Sequence, residues 1–280
     1  MGIRGFMKYL ERYNDYTTDH TLSDCDLVIE TNSFIYKFCN NNSIDILNGG
    51  DYERLKAYLI VFLEHLGECK IRPIFVFDGC KNDKKIDEKT QRQIAKIRKL
   101  IYNNRKCIGD DFLPMCTHDV FIETLKRRKI SYVLTTRSGN LVSAALAFHL
   151  DCAVLTNNSD FFFYYTRDMR RLKALPHYGF EFPLRTQSVK EIKCKLFNVN
   201  CRGLNGLGGD SVPRYLVMAE SSFNMAGFVD HKRILQNLSL SVYPEGAEFE
   251  ILVAKMAQKY CINIEKELGP YAERLNLKGI

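Results

Sequence analysis

The chain has 280 residues, of which 46% are apolar, so it is long enough to bury a sizeable hydrophobic core. It has no apolar run of the ~18 residues that a membrane-spanning helix needs. Its first residues also lack the long apolar stretch of a signal peptide. We therefore expect no membrane partner. The formal net charge of +7 is a mild excess that favours a polyanionic partner.

The cysteines indicate an intracellular protein. There are ten, and none forms a Cys-x-x-Cys pair. Cys39, Cys152 and Cys261 lie inside apolar patterns, which is typical of reduced core residues. A zinc site needs paired Cys and His ligands, and the isolated pair of Cys116 and His118 does not provide that spacing.

Helices and strands are predicted to alternate through the first half of the chain. The apolar and turn patterns predict a short amphipathic helix within residues 2–20, a strand at 26–30, a helix at 34–39 that residues 31–33 can cap, a long helix from Asp51, and a strand at 74–77.

Residues 81–106 form a basic segment with helical spacing of its isoleucines. It carries ten Lys and Arg side chains against three acids. Another helix is predicted from about residue 117, and it ends in the basic run 126–129. That run resembles a nuclear-import patch, but it is also typical of the cation-rich end of a helix, where it complements the helix dipole.

In the second half of the chain, the residue pattern predicts a strand at 130–134, a helix opened by Ser138-Gly139-Asn140, and a strand at 152–155 that is buried on both faces. It then predicts a helix at 189–197, followed from residue 212 onward by short helices without a strand. The fold class is therefore α/β, with a doubly wound, mainly parallel sheet and a C-terminal α-helical annex. We place the core in residues 1–165, and the remaining core edge with the annex in residues 166–280.

Three of the predicted strands end in a carboxylate. Glu30 closes the first, Asp78 follows the second, and Asp160 stands beyond the third. If the strands are parallel neighbours, these acids converge at the edge where open α/β sheets bind ligands. Clustered carboxylates repel one another unless a hard cation such as Mg²⁺ lies between them. The alternative is that each acid caps the helix that follows it or makes a turn.

Four short motifs of the chain, taken together, are typical of one protein superfamily. They are Met-Gly-Ile-Arg-Gly-Phe (1–6), Val-Ile-Glu (28–30), Val-Phe-Asp-Gly (76–79) and Leu-Thr-Asn-Asn-Ser-Asp-Phe (155–161). Their order and spacing resemble the flap-endonuclease/XPG superfamily of PIN-like nucleases. The chain resembles its asteroid family in particular, through Asn-Gly-Gly-Asp-Tyr (48–52), Asp-Gly-Cys (78–80) and Lys-Lys (84–85). The likeness covers roughly residues 1–215.

The resemblance implies hydrolysis of DNA phosphodiester bonds by two metal ions, Mg²⁺ or Mn²⁺, held by about seven carboxylates. It assigns catalytic and metal-binding roles to Glu30, Asp78, Asp160 and Asp210. Glu30 is one methylene longer than the family's Asp. Three further acid positions of the family are neutral here, namely Ser138, Asn140 and Asn158. Because neutral oxygens do not cancel the charge of a cation, we expect a degenerate site that holds one cation weakly or none.

The resemblance also implies contacts with DNA. Lys85 and Arg92 match the spacing of a Lys and an Arg that reach the scissile phosphate in flap endonucleases, and seven residues is two helical turns. Lys89 and Lys96 belong to the same basic segment. Gly2 corresponds to a residue near the substrate in relatives. The alternative for the basic residues is an ordinary solvated face.

Three functions follow as hypotheses. The first is a nucleic-acid-binding pseudo-nuclease or very weak nuclease. The second is an active Mg²⁺- or Mn²⁺-dependent DNA endonuclease that cuts flaps, splayed ends or single strands. The third is a protein-interaction scaffold. The neutral acid positions favour the first over the second, and the basic segment favours it over the third. We expect DNA as the partner, with RNA and proteins left open, and a nuclear rather than cytoplasmic location.

Overall fold

A parallel sheet forms the centre of the protein in the computed structural model. The structure describes residues 3–13, 16–42, 44, 50–79, 90–91, 94–95, 98, 113, 116–136, 138–168, 170–181, 190–197, 211–240, 244, 246–273 and 275.

Strands and helices are numbered along the described residues. The strands are β1 (Thr17–Leu22), β2 (Asp26–Glu30), β3 (Arg72–Phe77), β4 (Ser131–Leu134), β5 (Ala153–Thr156), β6 (Tyr165–Thr166), β7 (Lys173–Pro176), β8 (Ile192–Phe197) and β9 (Cys261–Ile262). The helices are α1 (Phe6–Arg12), α2 (Thr31–Asn41), α3 (Tyr52–Glu68), α4 (Thr117–Arg127), α5 (Gly139–His149), α6 (Ser211–Ala226), α7 (His231–Ser239), α8 (Ala247–Tyr260) and α9 (Ile264–Leu268).

Within the described residues, five strands form the central sheet in the order β4-β3-β2-β5-β7. Every neighbouring pair in it is parallel. The carboxyl ends of all five strands therefore lie at one edge of the sheet. The three strands that the sequence predicted to end in acids are direct neighbours at its centre.

Two hydrophobic clusters cover the two faces of this sheet. Val28 and Val154 belong to one cluster, whereas Ile29 and Leu155 belong to the other. Helix α5 and the C-terminal helices pack in the first cluster, and α2, α3 and α4 pack in the second. Both faces are buried, and successive strand residues point to opposite faces, so the strands are continuous apolar runs. This arrangement is the doubly wound α/β fold that the sequence predicts.

Two helix predictions were wrong in part or in whole. The predicted helix within residues 2–20 is limited to α1, and the chain then forms β1. The predicted helix at 189–197 is instead strand β8, which pairs antiparallel with β1. Ile192 and Cys194 are buried while Lys193 is exposed, which is the two-residue period of a strand. Because β1 and β8 lie far apart in the sequence, local periodicity did not reveal that they form a two-stranded sheet.

The C-terminal annex packs on the core through its apolar side chains. Tyr215, Leu235 and Leu268 lie in the same cluster as Phe6 and Val154. The annex also contains the short strand β9, which pairs with β6. The sequence analysis predicted no strand here, and that was wrong, because a two-residue strand carries no periodic signal.

No helix in the described part of the chain is both long enough and apolar enough to cross a membrane.

His177 follows β7 and is buried with both ring nitrogens lacking a hydrogen-bond partner in the described structure. Its ring meets Phe34 edge-on. Burial, with a smaller effect of the nearby Lys37 charge, lowers the pKa of His177 to about 3. The folded imidazole therefore stays neutral at pH values where the unfolded one is protonated.

We predict that stability falls as the pH drops below about 6.5, because there the unfolded state binds a proton that the folded state does not. Moving from pH 7.5 to 5.5 is expected to remove about 1.4 kcal/mol of unfolding free energy through His177. Urea unfolding at both pH values measures the change, and His177→Leu should reduce it. Exposed His20→Gln is the control. A full wild-type pH dependence in His177→Leu contradicts the prediction.

Candidate functional site

The candidate site lies at the carboxyl edge of the sheet. Glu30 is the last residue of β2, and Asp78 directly follows the neighbouring β3. Asp160 lies four residues beyond the end of β5, in a short 3-10 turn formed by Ser159–Phe162. The charge of Asp78 acts on Glu30, and both Glu30 and Asp160 act on Tyr164. The fold thus brings the three acids to one end of the molecule.

Glu30 is the N-cap of α2. Its carboxylate accepts hydrogen bonds from the backbone N–H of Ser33 at 3.2 Å, from the Ser33 hydroxyl, and from the Thr156 hydroxyl at 3.3 Å. Glu30 is only 3% exposed. Burial raises its pKa despite the Ser33 hydrogen bonds, and the Asp78 charge raises it further. Glu30 is thus held by protein donors, and its charged form is disfavoured.

Asp78 is bound to the start of α5. Its Oδ1 accepts a hydrogen bond from the backbone N–H of Gly139 at 2.7 Å. A Cβ at position 139 would lie 2.5 Å from this oxygen, so a larger residue there would push the carboxylate away. A carboxylate at a helix N-terminus is also stabilised by the helix dipole. The predicted alternative, that each acid caps the helix that follows it or makes a turn, describes Glu30. Asp78 instead accepts from the start of α5, a helix distant in the sequence.

Asp160 is a buried contact between the core and the annex. It is 6% exposed, and its Oδ1 accepts a hydrogen bond from the Tyr260 hydroxyl at 2.6 Å. Tyr260 is the last residue of α8. Burial raises the pKa of Tyr260, and the Asp160 charge adds to that rise. The phenol therefore stays protonated and remains a donor at neutral pH.

The neutral positions lie on two elements that carry or contact these acids, namely the start of α5 and the turn after β5. Ser138 is the N-cap of α5, but its side chain makes no capping hydrogen bond, and Asn140 lies in the first turn of that helix. The side-chain oxygen of Asn158 accepts the backbone N–H of Asp160 at 3.2 Å. Asn158 thus uses its oxygen to shape the turn that carries Asp160.

Among the described residues, no group of three or more His, Cys, Asp or Glu side chains could hold a metal ion. Asp210, the fourth predicted acid, lies outside the described residues. So do the predicted nucleic-acid contacts Gly2, Lys85, Lys89, Arg92 and Lys96. Their roles remain predictions.

Sequence reasoning missed the contribution of the annex to this site. Tyr260 reaches Asp160, and the Tyr271 hydroxyl accepts the backbone N–H of Thr136 at 2.8 Å. Thr136 lies just beyond the end of β4, at the same edge. The partners are 100 and 135 residues apart, so no local pattern could have linked them.

Comparisons with known proteins place the chain in a family. The XPG N-terminal domain model matches residues 1–99. "Single-strand DNA endonuclease ASTE1" of Danio rerio is 30% identical over 216 residues, which cover 71% of this chain and 30% of the relative. "Protein asteroid" of Drosophila melanogaster is 26% identical over 198 residues, which cover 68% of this chain and 22% of the relative. The chain spans less than a third of the length of these two relatives.

Among solved structures, flap endonuclease-1 from Methanococcus jannaschii matches with a TM-score of 0.52 and 16% sequence identity. The match covers 98% of this chain and 93% of that one. At this identity the likeness concerns the fold, which is the predicted PIN-like α/β fold. The motifs at the strand ends agree with the domain match, with the two relatives and with the fold. The chain therefore belongs to the asteroid family of the XPG/FEN nuclease superfamily.

Proposed function

We propose that this chain is a nucleic-acid-binding member of the XPG/FEN superfamily whose acid positions do not form a two-ion centre, so that it binds DNA with little or no cleavage. One observation carries the proposal. Each of the three described acids is held by a donor of the protein itself, namely Ser33 and Thr156 at Glu30, Gly139 at Asp78, and Tyr260 at Asp160.

The donor set does not fit two divalent cations. XPG/FEN nucleases are metal-dependent, typically with Mg²⁺. Two such ions bring four positive charges together, and carboxylates must offset most of that charge. Here Ser138, Asn140 and Asn158 offer only neutral oxygens, which do not cancel the charge of a cation.

Binding of nucleic acid rests on charge. The net charge is +7, and residues 81–106 carry ten of the 40 basic side chains. Phosphate contacts through Lys and Arg give affinity without sequence specificity. We propose Lys85, Lys89, Arg92 and Lys96 as such contacts, and DNA as the polyanion, because relatives carry the name of a DNA endonuclease. A DNA partner also leads us to propose a nuclear location.

A second candidate function is cleavage of single-stranded DNA. The name of the Danio rerio relative favours it. Glu30, Asp78 and Asp160 also retain carboxylates at the sheet edge. An ionised carboxylate has about four lone pairs, so this function requires a cation to bind these acids beside the protein donors that already hold them.

Incubation of the purified protein with labelled single-stranded, flap and splayed-end DNA tests both candidates, in Mg²⁺ and separately in Mn²⁺. We predict a gel shift without cleavage products, because the acids are already compensated by protein hydrogen bonds. Asp78→Asn is the control for contaminating nuclease, since its side-chain oxygen can still accept the Gly139 N–H. Cleavage by the wild type that disappears in Asp78→Asn would show that the second candidate is correct.

Salt dependence of binding tests the basic segment. We predict that the logarithm of the binding constant for a single-stranded oligonucleotide falls linearly with the logarithm of the salt concentration. Each phosphate contact contributes about 0.7 to this slope. The double variant Lys85→Ala/Arg92→Ala should therefore make the slope about 1.4 units shallower. Fluorescence anisotropy at several salt concentrations measures the slope. The control is Lys126→Ala/Lys129→Ala, which removes two exposed cations. Lys126 lies in the last turn of α4, and Lys129 lies just after the end of that helix. Equal slopes in the two double variants would exclude a specific role for Lys85 and Arg92.

A further inference from the structure

Helix α8 has one face packed on the annex and one face in solvent. Val253 is buried on the packed face, and on its flank the Arg214 guanidinium of α6 pairs with the Glu250 carboxylate at 2.5 Å. The solvent face carries Ile251 and Leu252, whose side chains are 54% and 46% exposed. Single exposed apolar residues are ordinary, but two large ones side by side on a helix form a small apolar patch.

Charged residues flank this patch along the helix. Glu248 precedes it, Lys255 follows it, and both are exposed. Residues three, four and seven positions apart share one helix face, so Glu248, Ile251, Leu252 and Lys255 form a single stripe, the α8 stripe. Among the residues that the structure describes, neither Glu248 nor Lys255 takes part in an ion pair.

The order of acid, apolar pair and base makes the α8 stripe complementary to itself when two copies meet antiparallel. A twofold axis between residues 251 and 252 places Glu248 of each copy opposite Lys255 of the other, because both are equally far from the axis. In the same register Ile251 of each copy faces Leu252 of the other. A parallel pair would instead set like charges opposite each other. A self-complementary patch is what a twofold dimer interface requires.

We propose that the α8 stripe is the docking surface for a second copy of this chain, which binds antiparallel through the four apolar side chains and two Glu248–Lys255 ion pairs. The occupant is a second copy because the stripe carries both halves of its own charge complement. The proposal goes beyond the proposed function, and it requires neither DNA nor a metal ion.

The expected dimer is weak and reversible. A single pair of helices buries less area than a standard protein–protein interface of about 1,600 Å², so we expect a Kd on the order of 10 μM. Ion pairs at the rim of an interface set orientation and partner choice more than affinity. The apolar centre therefore supplies most of the binding, and the charges fix the register.

Sedimentation velocity of the purified chain at roughly 1 to 100 μM tests self-association, and we expect a concentration-dependent shift from monomer to dimer. Ile251→Ser/Leu252→Ser should remain monomeric over this range, because it removes the apolar centre from both copies. The control is Met225→Ser/Leu240→Ser. It replaces two apolar side chains elsewhere in the annex, which are 89% and 73% exposed, and should associate as the wild type does.

Charge reversal tests the antiparallel register. Glu248→Lys and Lys255→Glu should each weaken self-association roughly 10-fold or more, because each sets like charges opposite one another. An equal mixture of the two variants has opposite charges at both ends of the interface and should dimerise as the wild type does. The double variant Glu248→Lys/Lys255→Glu should also dimerise by itself.

Circular dichroism monitors the fold of each variant. Glu248→Lys removes an acid from the first turn of α8, so its Tm is expected to fall by a few degrees. Rescue by mixing distinguishes a lost contact from a lost fold, because an unfolded variant does not regain its interface when the other variant is added.

The proposal is overturned if the wild type stays monomeric at every concentration, which would leave the α8 stripe to a different partner. Assembly beyond the dimer, equal loss of association in the Met225→Ser/Leu240→Ser control, or failure of the charge-reversed mixture to dimerise would also overturn it. These measurements contain no nucleic acid, so their outcome is distinguishable from that of the DNA-cleavage experiment.

Discussion

The compensation of negative charge at the carboxyl edge of the sheet is the constraint on which the site depends. Parallel strands necessarily bring Glu30 and Asp78 together, and the short turn after β5 adds Asp160. Buried carboxylates are costly unless each finds a cation or hydrogen-bond donors. In this chain the described donors include two helix N-termini, the Thr156 hydroxyl and one phenol.

The elements around the edge are tied together by contacts distant in sequence. Ser159 donates its hydroxyl to the Ile3 carbonyl at 3.2 Å, which joins the N-terminal segment to the turn carrying Asp160. His231 Nε2 donates a hydrogen bond to the Arg4 carbonyl at 3.0 Å, and the Tyr215 hydroxyl donates one to His231 Nδ1 at 2.8 Å. Burial lowers the pKa of His231, so the ring is neutral, with one nitrogen donating and the other accepting. The N-terminus and the annex thus enclose the site from two directions.

Membership of a nuclease superfamily does not by itself decide the chemistry, because the fold and the acid set change separately. The hydrophobic clusters on the two sheet faces need only apolar residues at alternating positions. The catalytic edge needs a particular number of charges. Ser138 and Asn140 illustrate the difference, since both lie at the start of an intact α5 and neither brings a charge.

The sequence by itself determined the parallel α/β core and the acids at its edge, because buried strands, helix caps and strand-end acids are local patterns. Through the family resemblance it also predicted that Ser138, Asn140 and Asn158 stand at acid positions. Only the tertiary structure decided that β8 pairs with β1 and that Glu30 and Asp78 bind helix ends. It also placed Tyr260 on Asp160, a contact between residues 100 positions apart. Local periodicity reports the face on which a side chain lies, whereas its partner is chosen by packing between distant segments.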